Sequence, residues 1–80
     1  MNKEQIFEVI KKNVLDILFE LDESAITIDK TLSELGANSL DRADIVTQTM
    51  EDLGMNIPLV ELGKVKNITG LVDLFASHAG

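Results

Sequence analysis

The eighty-residue chain contains no cysteine, tryptophan or tyrosine, one proline, one histidine, and seven Lys and Arg against fourteen Asp and Glu. Without cysteine there is no disulfide frame, no thiolate nucleophile and no Cys-built metal site. A lone imidazole, His78 near the C-terminal end, leaves Ser-His and His-metal chemistry without its parts. A net charge of -7 opposes nucleic acid, whose phosphates must be met by Lys and Arg, and anionic membrane surfaces as well. No stretch approaches the ~20 apolar residues of a membrane helix, and residues 1–5 lack the pattern of a signal peptide, so the expectation is a cytoplasmic protein. The five glycines are scattered and build no phosphate cradle. The acids between Asp22 and Glu34 lack the alternation of a calcium loop.

What is present describes one small folded domain over residues 1–80, 45% hydrophobic and 26% charged. Residues 14–52 hold ten acids against Lys30 and Arg42, whereas residues 53–80 are neutral. That acidity is either a solvated face or a device for steering basic partners. Ile6, Ile10, Val14, Ile17, Leu18 and Leu21 form one helical stripe, which predicts a first helix from Lys3 to Leu21. Residues 25–38 read as a long connection anchored by Ile26, Ile28, Leu32 and Leu35, with a short helical turn or a function of its own. Gly36 suits a positive φ at its end.

A second helix is predicted to open at Asn38 or Ser39 and to stop at Gly54, with Ala43, Val46, Met50 and Leu53 inward and Ile45 beside them. Pro58 restrains Ile57 and suits the first position of a short helix over Leu59 to Lys64. Asn67 can cap a last helix that buries Ile68, Leu71, Val72 and Phe75. The fold class is therefore all-α: a four-helix bundle with three main helices and a short third.

No catalytic residue and no metal set emerges. Asp41 and Asp44 lie one turn apart, but such a pair on an acidic chain reads first as two solvated charges. Ser39 stands out as a hydroxyl at a helix start. It either caps the helix or is itself modified, in which case a phosphodiester would meet the positive end of the helix dipole.

The run Leu35-Gly36-Ala37-Asn38-Ser39-Leu40-Asp41 resembles the attachment motif of acyl carrier proteins, Leu-Gly-x-Asp-Ser-Leu-(Asp/Glu). The resemblance spans the chain, from the long first helix and loop to Ile57-Pro58 and the closing amphipathic helix. It implies that Ser39 carries 4'-phosphopantetheine, delivered from coenzyme A by a phosphopantetheinyl transferase, and that the arm's thiol holds acyl thioesters. The chain would then be a protein-bound substrate and not an enzyme, and a monomer. The absent cysteine makes sense on that basis, because the sulfur arrives with the cofactor.

Three features depart from the common pattern. Asn38 stands where an Asp is usual, Arg42, Thr47, Gln48 and Met50 dilute the acidity of the second helix, and Leu59-Val60-Glu61-Leu62 replaces a more acidic third helix. Not all of Leu59, Val60 and Leu62 can face inward on one turn, so an apolar docking spot or tighter packing is expected there. Ser39-Leu40-Asp41-Arg42-Ala43-Asp44-Ile45, Met50-Glu51-Asp52-Leu53 and Asn56-Ile57-Pro58 resemble the free-standing donor carriers of polyketide β-branching cassettes.

That likeness implies partners: an acyltransferase, a decarboxylating ketosynthase-like enzyme, and an HMG-CoA-synthase-like enzyme that takes an acetyl or propionyl group from the carrier. Leu40, Asp41, Arg42, Asp44, Met50, Leu59 and Val60 are the expected docking residues. A fatty-acid carrier, a peptidyl carrier, or a helical interaction module without a prosthetic group are the alternatives. The Gly36-Ala37-Asn38 context, without a Gly-Gly pair, counts against the peptidyl carrier.

Overall fold

The computed structural model describes residues 2–65 and 67–79, and they form helices α1 (Lys3–Ile17), α2 (Ser39–Leu53), α3 (Leu59–Leu62) and α4 (Ile68–His78). Asn2 opens α1 with a capping box: its Oδ1 accepts the Gln5 N–H at 2.8 Å, and Gln5 Oε1 accepts the Asn2 N–H at 3.0 Å. Ile6, Ile10 and Val14 are buried in one row, as their spacing predicts.

The helix ends at Leu18, short of the expected Leu21. The chain turns there, and Leu21 N–H closes on the Leu18 carbonyl at 3.0 Å. The turn keeps Leu18 and Leu21 against the core while Phe19 swings out, 79% exposed.

Asp22 then caps a 3-10 turn, Glu23–Ala25, which lies ahead of the connection read over residues 25–38 and shares only Ala25 with it. Ile26, Leu32 and Leu35 anchor that connection in the core, joined by Ala37, but Ile28 does not. Its side chain is half exposed, and its carbonyl instead accepts the N–H (2.8 Å) and hydroxyl (2.6 Å) of Thr69. With Ile68 N–H on the Lys30 carbonyl at 2.9 Å, the first turn of α4 is fastened to the loop after α1. Gly36 has φ +103°, the left-handed geometry expected of it.

Helix α2 runs to Leu53 and stops at Gly54 in left-handed geometry, as read from the sequence. Its inward face is rotated from the expected one. Ile45 and Thr49 are buried, Val46, Met50 and Leu53 flank them partly buried, and Ala43 is exposed. The cause lies on α1, where Asn13 is fully buried and its Nδ2 donates to Thr49 Oγ1 at 3.0 Å and Asp52 Oδ2 at 3.1 Å. Polar residues thus occupy part of the α1–α2 seam, a position hydropathy assigns to solvent.

Pro58 occupies the cap of α3 and not its first turn, since its carbonyl accepts from Glu61 and Leu62 N–H. The helix ends at Leu62 instead of Lys64. Helix α4 follows its sequence reading: Asn67 Oδ1 caps Gly70 N–H at 2.9 Å, and Ile68, Leu71, Val72 and Phe75 are buried. Gly70 is required by packing, because a Cβ there would lie 2.8 Å from Val65 Cγ1.

Candidate functional site

Ser39 is the first residue of α2, exposed on the surface, and it is not the cap. Asn38 fills that role: its Oδ1 accepts Asp41 N–H at 2.8 Å, while Asp41 Oδ2 accepts Asn38 N–H at 3.3 Å. Asn38 therefore satisfies the helix start, and the Ser39 hydroxyl is released from capping. The N–H groups of Ser39 and Leu40 find no acceptor among the described residues, so the first turn of α2 keeps two free donors.

Arg42, one turn on, reaches back across the first turn. Its Nη2 donates to Ser39 Oγ at 3.2 Å and its Nη1 to Ser33 Oγ at 3.0 Å. The guanidinium thus joins the start of α2 to the preceding loop. Beneath it lies an open cleft of about 340 Å³, lined by Thr31, Leu32, Ser33, Ser39, Arg42, Ala43, Val46, Leu62, Gly63, Val65, Asn67 and Leu71. Its walls come from the loop, α2 and the α3–α4 segment, with Leu32, Val46, Leu62, Val65 and Leu71 among its apolar lining and Ser39 and Arg42 among its polar lining.

The expected docking residues fall in more than one place. Leu40 is 76% and Val60 71% exposed, the most accessible apolar side chains of α2 and α3 among the described residues. Of the two expectations for α3, an exposed apolar spot is what Val60 provides, while Leu62 packs partly into the core. The side chain of Leu59 lies outside the described residues. Arg42 and Asp44 are exposed, but Asp44 lines a different groove, with Lys12, Asn13, Asp16 and Gln48 between α1 and α2. Asp41 is half-buried in its capping box, and Met50 is partly buried, its Sδ accepting Ile57 N–H at 3.3 Å.

Two arrangements have little sequence signal. The Ser33–Arg42–Ser39 bridge brings together residues from two segments, and only the three-residue spacing of Arg42 from Ser39 hints at it. The second is the cluster around Asp52, whose carboxylate accepts from Asn13, Gln48 (3.2 Å) and Lys12 (3.3 Å). Those hydrogen bonds, the one from Asn13 foremost, hold the Asp52 carboxyl below its ordinary range.

Comparison with known proteins agrees with this geometry. Residues 8–75 match the family described as "Phosphopantetheine attachment site". The chain is 46% identical over 74 residues, 92% of its length and 90% of the relative's, to the polyketide biosynthesis acyl-carrier-protein AcpK of Bacillus subtilis. It is 33% identical over its full length to an acyl carrier protein of Lactobacillus acidophilus. Among solved structures it matches a chain in the crystal structure of the curacin biosynthetic pathway HMG synthase in complex with acetyl donor-ACP. The TM-score is 0.88 at 45% identity, covering 96% of this chain and 99% of that one.

Proposed function

The chain belongs to the acyl carrier protein family and carries covalent 4'-phosphopantetheine, and from that premise we propose that Ser39 holds the arm and that the carrier donates an acetyl unit to an HMG-CoA-synthase-like enzyme. When attached, the arm supplies a thiol on which acyl groups ride as thioesters. The residues around Ser39 fit such a group. The hydroxyl is exposed and freed from capping by Asn38, the Arg42 guanidinium donates to it, the first turn of α2 keeps two unpaired N–H donors, and Ser39 lines the cleft.

The observation that carries the reading is this exposed, uncapped serine on a chain 45% identical to its counterpart in the HMG synthase–acetyl donor-ACP complex. Leu40 and Val60 supply exposed apolar contacts for a partner, with the acids of α2 as its electrostatic surround. The transferase, the acyltransferase and the decarboxylating enzyme belong to the same proposal. An interaction module without a prosthetic group is not compatible with the family match.

Incubation with coenzyme A and a permissive phosphopantetheinyl transferase should raise the intact mass by one arm in the wild type and not in Ser39→Ala. The acetyl-loaded carrier should then support condensation by an HMG-CoA-synthase-like enzyme, and Leu40→Glu or Val60→Glu should abolish that turnover while leaving modification intact. Equal service from a fatty-acid carrier in the same assay would overturn the donor assignment and favour fatty-acid synthesis.

A further inference from the structure

Arg42 is the single arginine in a chain of net charge -7, yet its guanidinium meets no carboxylate in any ion pair among the described residues. Those pairs use Lys3, Lys11, Lys12 and His78. Although Asp41 and Asp44 flank it in sequence, Arg42 turns to two neutral hydroxyls, Ser33 Oγ at 3.0 Å and Ser39 Oγ at 3.2 Å. A hydroxyl oxygen is a poor counter-charge for a guanidinium, whose fork of donors matches the paired oxygens of a carboxylate or phosphate. The guanidinium, without an ion-pair partner among the described residues, thus rests against the one oxygen that modification would turn into part of a phosphodiester.

We infer that Arg42 is the phosphate clamp of the modified carrier, a reading that rests on Ser39 as the attachment site. Once Oγ becomes an ester oxygen it is a weaker acceptor, and the non-bridging phosphoryl oxygens, two bonds further out, carry the negative charge. The Nη2 donor, now on Ser39 Oγ, would hold one of them while Nη1 keeps Ser33 Oγ, so that Arg42 would tie the loop before α2 to the phosphodiester. The clamp also answers an electrostatic problem. Modification adds a negative charge beside Asp41 and Asp44 on an already acidic chain, and Arg42 is the cation positioned to offset it. A lysine would supply the charge without the fork.

The test compares apo and holo forms of the wild type, Arg42→Gln and Arg42→Lys, with loading verified by intact mass, using thermal unfolding and the 31P resonance of the phosphodiester. Wild-type holo protein should melt at or above its apo form. Holo Arg42→Gln should melt below its own apo form by roughly 4 °C at low salt, about the shift that a modest loss of stability gives in a domain this small. The gap should narrow with added salt, Arg42→Lys should restore part of it, and the 31P resonance should move in Arg42→Gln. If Ser39→Ala cannot be loaded but wild type and Arg42→Gln show the same apo-to-holo shift and the same 31P position, the clamp is refuted while the attachment site stands. If Ser39→Ala is still loaded, the attachment site itself is wrong, and the clamp falls with it.

Discussion

Thr49→Val removes one hydroxyl from the buried seam between α1 and α2. Asn13 and Thr49 are 0% and 1% exposed, so neither side chain reaches water. The Asn13 amide spends one hydrogen on Thr49 Oγ1 at 3.0 Å and the other on Asp52 at 3.1 Å, and the Thr49 hydroxyl donates onward to the Ile45 carbonyl at 2.7 Å. Valine has nearly the same shape, so packing is kept and the loss is one acceptor for a donor that cannot find another. Stranding a buried polar group costs about 1–3 kcal/mol. In a domain of this size each kcal/mol lowers the melting temperature by roughly 4–8 °C.

Asn13 Oδ1 has no partner among the described residues, so the seam already carries one unsatisfied atom. Asn13→Leu combined with Thr49→Val removes the Asn13–Thr49 pair and the unsatisfied atom, and replacing a polar pair by apolar groups of similar shape is nearly neutral; the Asn13–Asp52 bond is lost as well, but Asp52 keeps Lys12 and Gln48 as donors. The double variant should therefore be more stable than Thr49→Val alone. Urea unfolding with an unchanged m-value reads the difference. A Thr49→Val protein within about 0.5 kcal/mol of wild type, or a double variant less stable than the single, would refute the reasoning.

Further outcomes follow from the same physical terms. Asn38→Ala should cost about 1 kcal/mol by removing the α2 cap, whereas Ser39→Ala, at the first helical position, should cost less than half of that by urea unfolding. Gly70→Ala should destabilise the wild type, because its Cβ meets Val65 Cγ1 at 2.8 Å, yet stabilise a Val65→Ala background by about 1 kcal/mol through helix propensity; the same sign in both backgrounds would contradict the contact. The Asp52 carboxyl lies below its ordinary 3.8, chiefly through the Asn13 hydrogen bond. Its contribution is present above that value and is lost as pH falls through the folded one, so melting temperature should drop on the acid side in wild type and less steeply in Asn13→Leu.

Helices were legible where one signal acted alone. In α4 the spacing of Ile68, Leu71, Val72 and Phe75, with Asn67 ahead, contained both its face and its start. The periodicity of α1 continues past Leu18 because the turn there folds Leu18 and Leu21 back onto the same core, as a continuing helix would. The face of α2 differs from its periodicity because hydropathy counts Thr49 as polar, while a partner 36 positions away, Asn13, makes its burial favourable. At the site, the motif around Ser39 is visible in the string, whereas the choice between Asn38 and Ser39 as cap depends on the path of the chain into α2. The Arg42 bridge to Ser33 crosses a loop whose path no local pattern describes.

The bonds from Ile68 and Thr69 to the carbonyls of Lys30 and Ile28 bear on folding order. They close a segment of about forty residues, so the loop before α2 acquires its shape only after the last helix docks, and loop-closure entropy must be met first. The α1–α2 pair has its own seam, so the cleft is expected to form late in folding and to open early in local unfolding. Amide exchange should reflect that hierarchy, with the N–H groups of Ile68 and Thr69 exchanging faster than those in the middle of α1, although both belong to helices of one small bundle.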